Sequence, residues 1–174
     1  MTGWDMAFRR KIIAASFSAA MFAVLLGLIV PNPFGEPIRS VLDYLRLFSL
    51  STPVYLMYSF PVILIYGVPA SLAADHVAGK LARRIGRTNA EPWLSGLLHA
   101  VFGLPLLWYG AAAGLLGFAV DRLLGRRKAV FSWHEPLSAL LVPLIVWVLF
   151  MGAIYLQELP GQLPDLLQTV ILRY

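Results

Sequence analysis

Residues 12–30, 53–74, 93–120 and 136–157 contain no Asp, Glu, Lys or Arg. A helix rises about 1.5 Å per residue, so each stretch approaches or exceeds the roughly 30 Å hydrocarbon core of a bilayer. A water-soluble domain of 174 residues has nowhere to put 59% hydrophobic residues with only 13% charged. The sequence therefore predicts an all-α fold: a polytopic transmembrane helical bundle forming one integral membrane domain over residues 1–174. The first apolar run follows Arg9, Arg10 and Lys11, as in a secretory signal. It is longer than a signal core, and no small-x-small cleavage site follows it, so it reads as an uncleaved first span.

Orientation rests on three basic clusters: Arg9, Arg10 and Lys11; Lys80, Arg83, Arg84 and Arg87; and Arg122, Arg126, Arg127 and Lys128. Four simple spans with a cytoplasmic N-terminus place the third cluster outside and leave almost no positive-inside bias. If residues 93–120 enter and return to the same side, eleven of the 14 Lys and Arg residues face the cytoplasm, and Arg39, Arg46 and Arg173 stay outside. The preferred arrangement is three full spans plus a re-entrant or short hairpin segment, with four spans as the alternative. Gly103-Leu104-Pro105 marks the expected turn, because Pro105 removes a backbone donor and disfavours helical geometry at Leu104.

The connecting segments read as surface helices. Residues 31–37 form a Pro- and Gly-rich turn; residues 38–48 carry apolar side chains at 38, 41, 42, 45 and 48 on one face, as expected of a helix in the outer interface. Residues 75–87 pair Val77, Leu81 and Ile85 with four flanking basic residues, the pattern of a helix against anionic headgroups on the cytoplasmic side. After Gln157, Pro160-Gly161 and Pro164 predict a sharp turn before a last amphipathic stretch, residues 166–172. Pro53, Pro61 and Pro69 recur every eight residues in the second span, where they shape a bundle or serve as hinges.

An internal echo supports the hairpin. Ile65-Tyr66-Gly67-Val68-Pro69-Ala70-Ser71-Leu72 is followed by Asp75, Gly79 and Lys80; Trp108-Tyr109-Gly110-Ala111-Ala112-Ala113-Gly114-Leu115 is followed by Asp121, Gly125 and Arg126. As a diverged duplication, both copies run in the same direction across the membrane; chance matching among small residues is the competing explanation. The run from Tyr66 to Asp75, the basic stretch after it and the second apolar segment ending at Asp121 resemble small uncharacterised multi-spanning membrane proteins of the Bacillus and Paenibacillus type. That resemblance implies a bacterial plasma membrane location and brings no activity and no site residue with it.

Candidate chemistry is sparse. There is no cysteine, which excludes disulfides, thiolate metal sites and cysteine nucleophiles. His134-Glu135 lacks the second histidine of a zinc-protease helix, and His76 is an isolated imidazole. His99 is the one ionisable side chain deep inside an apolar segment. It is read as a neutral imidazole bonded to a neighbouring helix, with a proton relay as the alternative. Asp75 and Asp121 end the two echoed segments; the expectation is pairing with nearby arginines or capping of the following helix, with joint cation binding as the alternative. The basic clusters are orientation signals and headgroup contacts, so the expected surroundings are anionic lipids and no nucleic acid. No catalytic, cofactor-binding or metal-binding residue is assigned, and the chain is expected not to be an enzyme. An accessory protein with a membrane-protein partner or a second copy of itself ranks first, a small oligomeric transporter or channel second, and a lipid-modifying enzyme third. A water-accessible cavity reaching His99, with polar groups converging on it, would reverse that order.

Overall fold

Helix α1 (Gly3–Ile29) begins ahead of the basic triplet and carries it into the protein, so Arg9, Arg10 and Lys11 lie within the helix. The computed structural model describes residues 3–126 and 131–171. Arg127, Lys128 and Arg173, which enter the charge count, lie outside them. Among the described residues the chain is helical with no strand: α2 (Val41–Val62), a π-helical turn (Ile63–Gly67), α3 (Val68–Arg84), α4 (Glu91–Gly103), α5 (Leu107–Arg126), a short α6 (His134–Ala139) and α7 (Leu141–Ile171). Four helical stretches, Trp4–Ile29, Val41–Arg84, Thr88–Arg126 and His134–Leu159, are long and apolar enough to cross a membrane.

The segments read as separate surface helices are continuous with their spans. Residues from 41 to 84 form one helical run of 44 residues, about 66 Å of helix, interrupted only by the π turn. Ser40 starts it as the N-cap, its hydroxyl accepting from the Asp43 amide at 3.0 Å. The π turn has a local cause. Pro69 has no amide hydrogen for the Ile65 carbonyl, and its ring presses on that carbonyl; widening the preceding turn relieves both. The expected break after Gln157 is also absent, because α7 runs through Pro160, Gly161 and Pro164 to Ile171.

The chain does turn at the expected triplet. Leu104–Leu106 form a 3-10 turn, and Leu107 adopts φ 60°, a left-handed conformation costly for a residue with a branched side chain. Helix α5 then returns along α4. A Cβ at Gly103 would collide with the Gly110 carbonyl, one at Gly114 would lie 2.5 Å from the His99 carbonyl, and one at Gly96 would lie 3.2 Å from the Phe118 ring. Each step of about four residues back along α4 is matched by four forward along α5, the register of an antiparallel hairpin. Glycine is required at 103 and 110 by this backbone approach, so the small-residue face of α5 packs within the chain.

Small residues line the interior: Ala14, Ala15, Ala19, Ala20 and Ala23 of α1 are buried, as are Ala74, Ala78 and Ala82 of α3. Large apolar side chains point outward, among them Ile29, Ile65, Trp93, Leu97 and Leu149. This inverts the water-soluble pattern and is consistent with a membrane protein. Helix α7 packs on α2, where Phe48 meets Phe150 edge to face at 5.2 Å and Gln157 donates to Ser49 at 3.3 Å. Arg9 joins α1 to the segment before α6 by donating to the Phe131 carbonyl at 2.9 Å and lying 4.5 Å over the Trp133 ring.

Candidate functional site

Lys11 lies about two turns into α1, on the face that continues through Ala14, Ala15 and Ser18. These small neighbours let α3 and α5 approach, and each brings a carboxylate to the ammonium. Lys11 Nζ is 2.5 Å from Asp75 Oδ2 and 2.8 Å from Asp121 Oδ2, with its side chain 2% exposed. Asp121 is as deeply buried and also accepts from Arg10, Nε to Oδ1 at 2.7 Å and Nη2 to Oδ2 at 3.4 Å. The three helices are thus joined by a cation shared between two anions.

Asp75 and Asp121 lie inside α3 and α5, and neither caps a following helix. Asp75 pairs with Lys11 and faces Arg122 at 3.6 Å, and Asp121 pairs with Lys11 and Arg10. The expected pairing with arginines is therefore present in part, while the central cation, Lys11, was read as a flanking charge. Arg9 and Lys11 are buried and are not headgroup contacts. The reason is helix phase. Starting α1 at Gly3 turns positions 11, 14, 15 and 18 inward together.

From Asp75 a chain of polar groups leads deeper. Ser95 Oγ donates to Asp75 Oδ1 at 2.5 Å and lies 3.5 Å from His99 Nδ1. His99 Nδ1 is 2.7 Å from the Ser95 carbonyl, which only accepts, so this nitrogen carries the ring proton in the neutral imidazole. Nε2 then accepts from the Ser71 hydroxyl at 2.7 Å. A proton added at Nε2 would keep a partner, because Ser71 Oγ accepts after rotation of its hydroxyl. Both states of the ring are therefore accommodated. Phe118 covers one side of the imidazole, ring centroids 5.2 Å apart.

This chain of groups separates two spaces. On the inner side is a cavity of about 70 Å³, lined mostly by small and apolar residues and the π turn, into which Lys11, Ser18, Ser71 and His99 bring polar groups. The π turn borders it, and Tyr66 fixes that turn by donating to the Phe102 carbonyl at 2.6 Å. On the outer side is a recess of about 460 Å³ at the N-terminal end of α1, with Asp75, Glu91, Arg10 and Arg122 on its walls. Asp75 lines the recess and Lys11 and His99 line the cavity, so the ion cluster is the partition.

The reading of His99 as bonded to a neighbouring helix matches the Ser71 contact, and on its other side Asp75 is one hydroxyl away. Sequence reasoning missed Lys11, Ser71 and Ser95. The available signals were the inward face 11, 14, 15 and 18, and the four-residue spacing of Ser95 and His99 beside Gly96 and Gly103. His76 lies at the recess, 6.0 Å from the Trp4 ring, and His134 is exposed at the start of α6. Among the described residues no three His, Asp or Glu side chains converge to hold a metal. No protein family, no curated protein and no solved structure matches this chain.

Proposed function

We propose that the protein is a small integral membrane transporter whose working step is proton transfer between the cavity and the recess. The observation that carries this reading is the line of polar groups from cavity to recess, Ser71, His99, Ser95 and Asp75, with Lys11 holding Asp75 and one long step of 3.5 Å between His99 and Ser95. A proton arriving through the Ser71 hydroxyl or a cavity water binds His99 Nε2. The imidazolium releases its Nδ1 proton to Ser95 Oγ once their 3.5 Å separation closes, while Ser95 passes its own proton to Asp75. One proton enters and one reaches the carboxylate at the recess; the ring, left with its proton on Nε2, regains the Nδ1–H form by rotating away from Ser71 and exchanging protons with the cavity side, with no further net transfer. Neutralising Asp75 weakens its hold on Lys11, which links protonation to the packing of α1 against α3.

The proposed placement is multi-pass in a bacterial plasma membrane with a cytoplasmic N-terminus, three full spans and a re-entrant α4–α5 hairpin. Helix α4 supports the last element: its 13 residues give about 20 Å, short of a bilayer core. The recess then opens to the cytoplasm, because the start of α1, the end of α3 and the end of α5 meet there.

The test is proton flux into proteoliposomes under an imposed potential, followed with a trapped pH dye. Wild-type protein should carry flux that Asp75→Asn, Ser95→Ala and His99→Gln each abolish. Flux equal to that of protein-free vesicles overturns the proposal. The cluster would then act as a staple between α1, α3 and α5, and the accessory role would stand.

A further inference from the structure

The recess has a chemistry the proton relay does not use. Among the described residues, three guanidinium groups, Arg10, Arg83 and Arg122, reach its walls against two carboxylates, Asp75 and Glu91. Asp75 is already matched by Lys11 and Asp121 by Arg10, which leaves Glu91 facing Arg83 and Arg122. Arg122 is 35% exposed as a side chain, yet its Nε and Nη2 atoms are buried and make no hydrogen bond among the described residues. Nη2 is 3.6 Å from Asp75 Oδ1 and 3.7 Å from Glu91 Oε1, beyond hydrogen-bond reach of both. Phe118 lies 5.2 Å under the guanidinium and holds its plane.

Buried charged donors without acceptors are unfavourable unless something supplies the acceptors. With Glu91 displaced, the Nε–Nη2 edge, closed to solvent at rest, matches a tetrahedral oxyanion, which accepts two parallel bonds at once. We propose that the recess binds a phosphate-type oxyanion, either free phosphate or the phosphate of a lipid headgroup, with Arg122 as principal donor. Arg83 flanks it from α3, and the His76 ring at the rim supplies a further donor. Glu91 is the resting counter-ion that the ligand displaces. At about 460 Å³ the recess admits such a group with its water. The site shares the Asp75 wall with the exit of the relay, and it is tested by binding, without a flux measurement.

The experiment uses full-length protein in nanodiscs of neutral phosphatidylcholine. Calorimetry measures binding of inorganic phosphate, and native mass spectrometry measures retention of phosphatidylglycerol added to the same discs. Saturable binding of either supports the site; loss of phosphate binding on adding phosphatidylglycerol assigns it to the headgroup, and phosphate binding unaffected by the lipid assigns it to the free ion. Arg122→Gln should weaken binding at least tenfold, Arg83→Gln a few-fold, and Glu91→Gln should tighten it by removing the competing carboxylate. Should Arg122→Gln fail to fold, the opposite shifts of Arg83→Gln and Glu91→Gln decide. No saturable binding of either probe, or equal binding by wild type and all three variants, overturns the proposal.

Discussion

Lys11 Nζ and Asp121 Oδ2 meet at 2.8 Å across 110 positions of sequence, and both side chains are 2% exposed. Removing one member of a buried ion pair leaves an uncompensated charge, at a cost of about 3–5 kcal/mol. Lys11→Met should therefore lower thermal stability in detergent more than Arg10→Gln, since Arg10 is part-exposed and water replaces its bonds. The double variant Lys11→Met with Asp121→Asn should lose less than the sum of the two single losses, because charge is removed from both sides. Strict additivity would mean that the pair does not act as a unit.

The α4–α5 hairpin depends on two glycines. Gly103→Ala and Gly110→Ala each place a methyl group against backbone, which cannot move aside as a side-chain end does. Overpacking of this kind costs about 1–3 kcal/mol. Gly152→Ala is the matched control, as nothing lies within 4 Å of its Cβ position. The first two variants should unfold at lower temperature, and the third should melt like the wild type.

The hairpin turn was legible in the sequence because its cause is local: Gly103, Leu104 and Pro105 are adjacent, and a proline limits its own neighbourhood. The four apolar stretches were legible for the same reason, since span length needs only consecutive residues. The ion cluster was not. Its members are brought together from positions 10, 11, 75 and 121 by packing, and Lys11 has the flanking position of a topology signal. Asp75 and Asp121 stood out as matched segment ends, but nothing in their own neighbourhoods points to Lys11. The long Val41–Arg84 run was also missed, because Pro53 and the amphipathic patterning of residues 38–48 and 75–87 marked breaks before 53 and after 74, where the helix instead continues.

The proposed topology makes a labelling prediction that this cysteine-free chain is suited to test. In intact cells, Gly35→Cys should react with an impermeant thiol reagent from outside, whereas Arg87→Cys and Arg126→Cys should react only after permeabilisation. External labelling at 126 would mean that residues 88–126 cross once, and the re-entrant placement of α4 and α5 would fall.

Proton transfer and structural support make different demands on His99, and two substitutions separate them. Glutamine keeps an N–H that reaches the Ser95 carbonyl, and an oxygen or N–H for Ser71, but it does not titrate. Leucine keeps the bulk under Phe118 and offers neither bond, leaving Ser71 without its partner, at about 1–3 kcal/mol for a stranded buried group. His99→Gln should therefore melt within a few degrees of wild type and carry no proton flux, whereas His99→Leu should lose both stability and flux. Ser71→Ala removes the Nε2 partner and leaves the imidazole able to exchange protons with cavity water, so it should slow flux without abolishing it. Wild-type flux in the folded Gln variant would show that no proton passes through the ring, and the path from the cavity to Asp75 would then have to bypass His99.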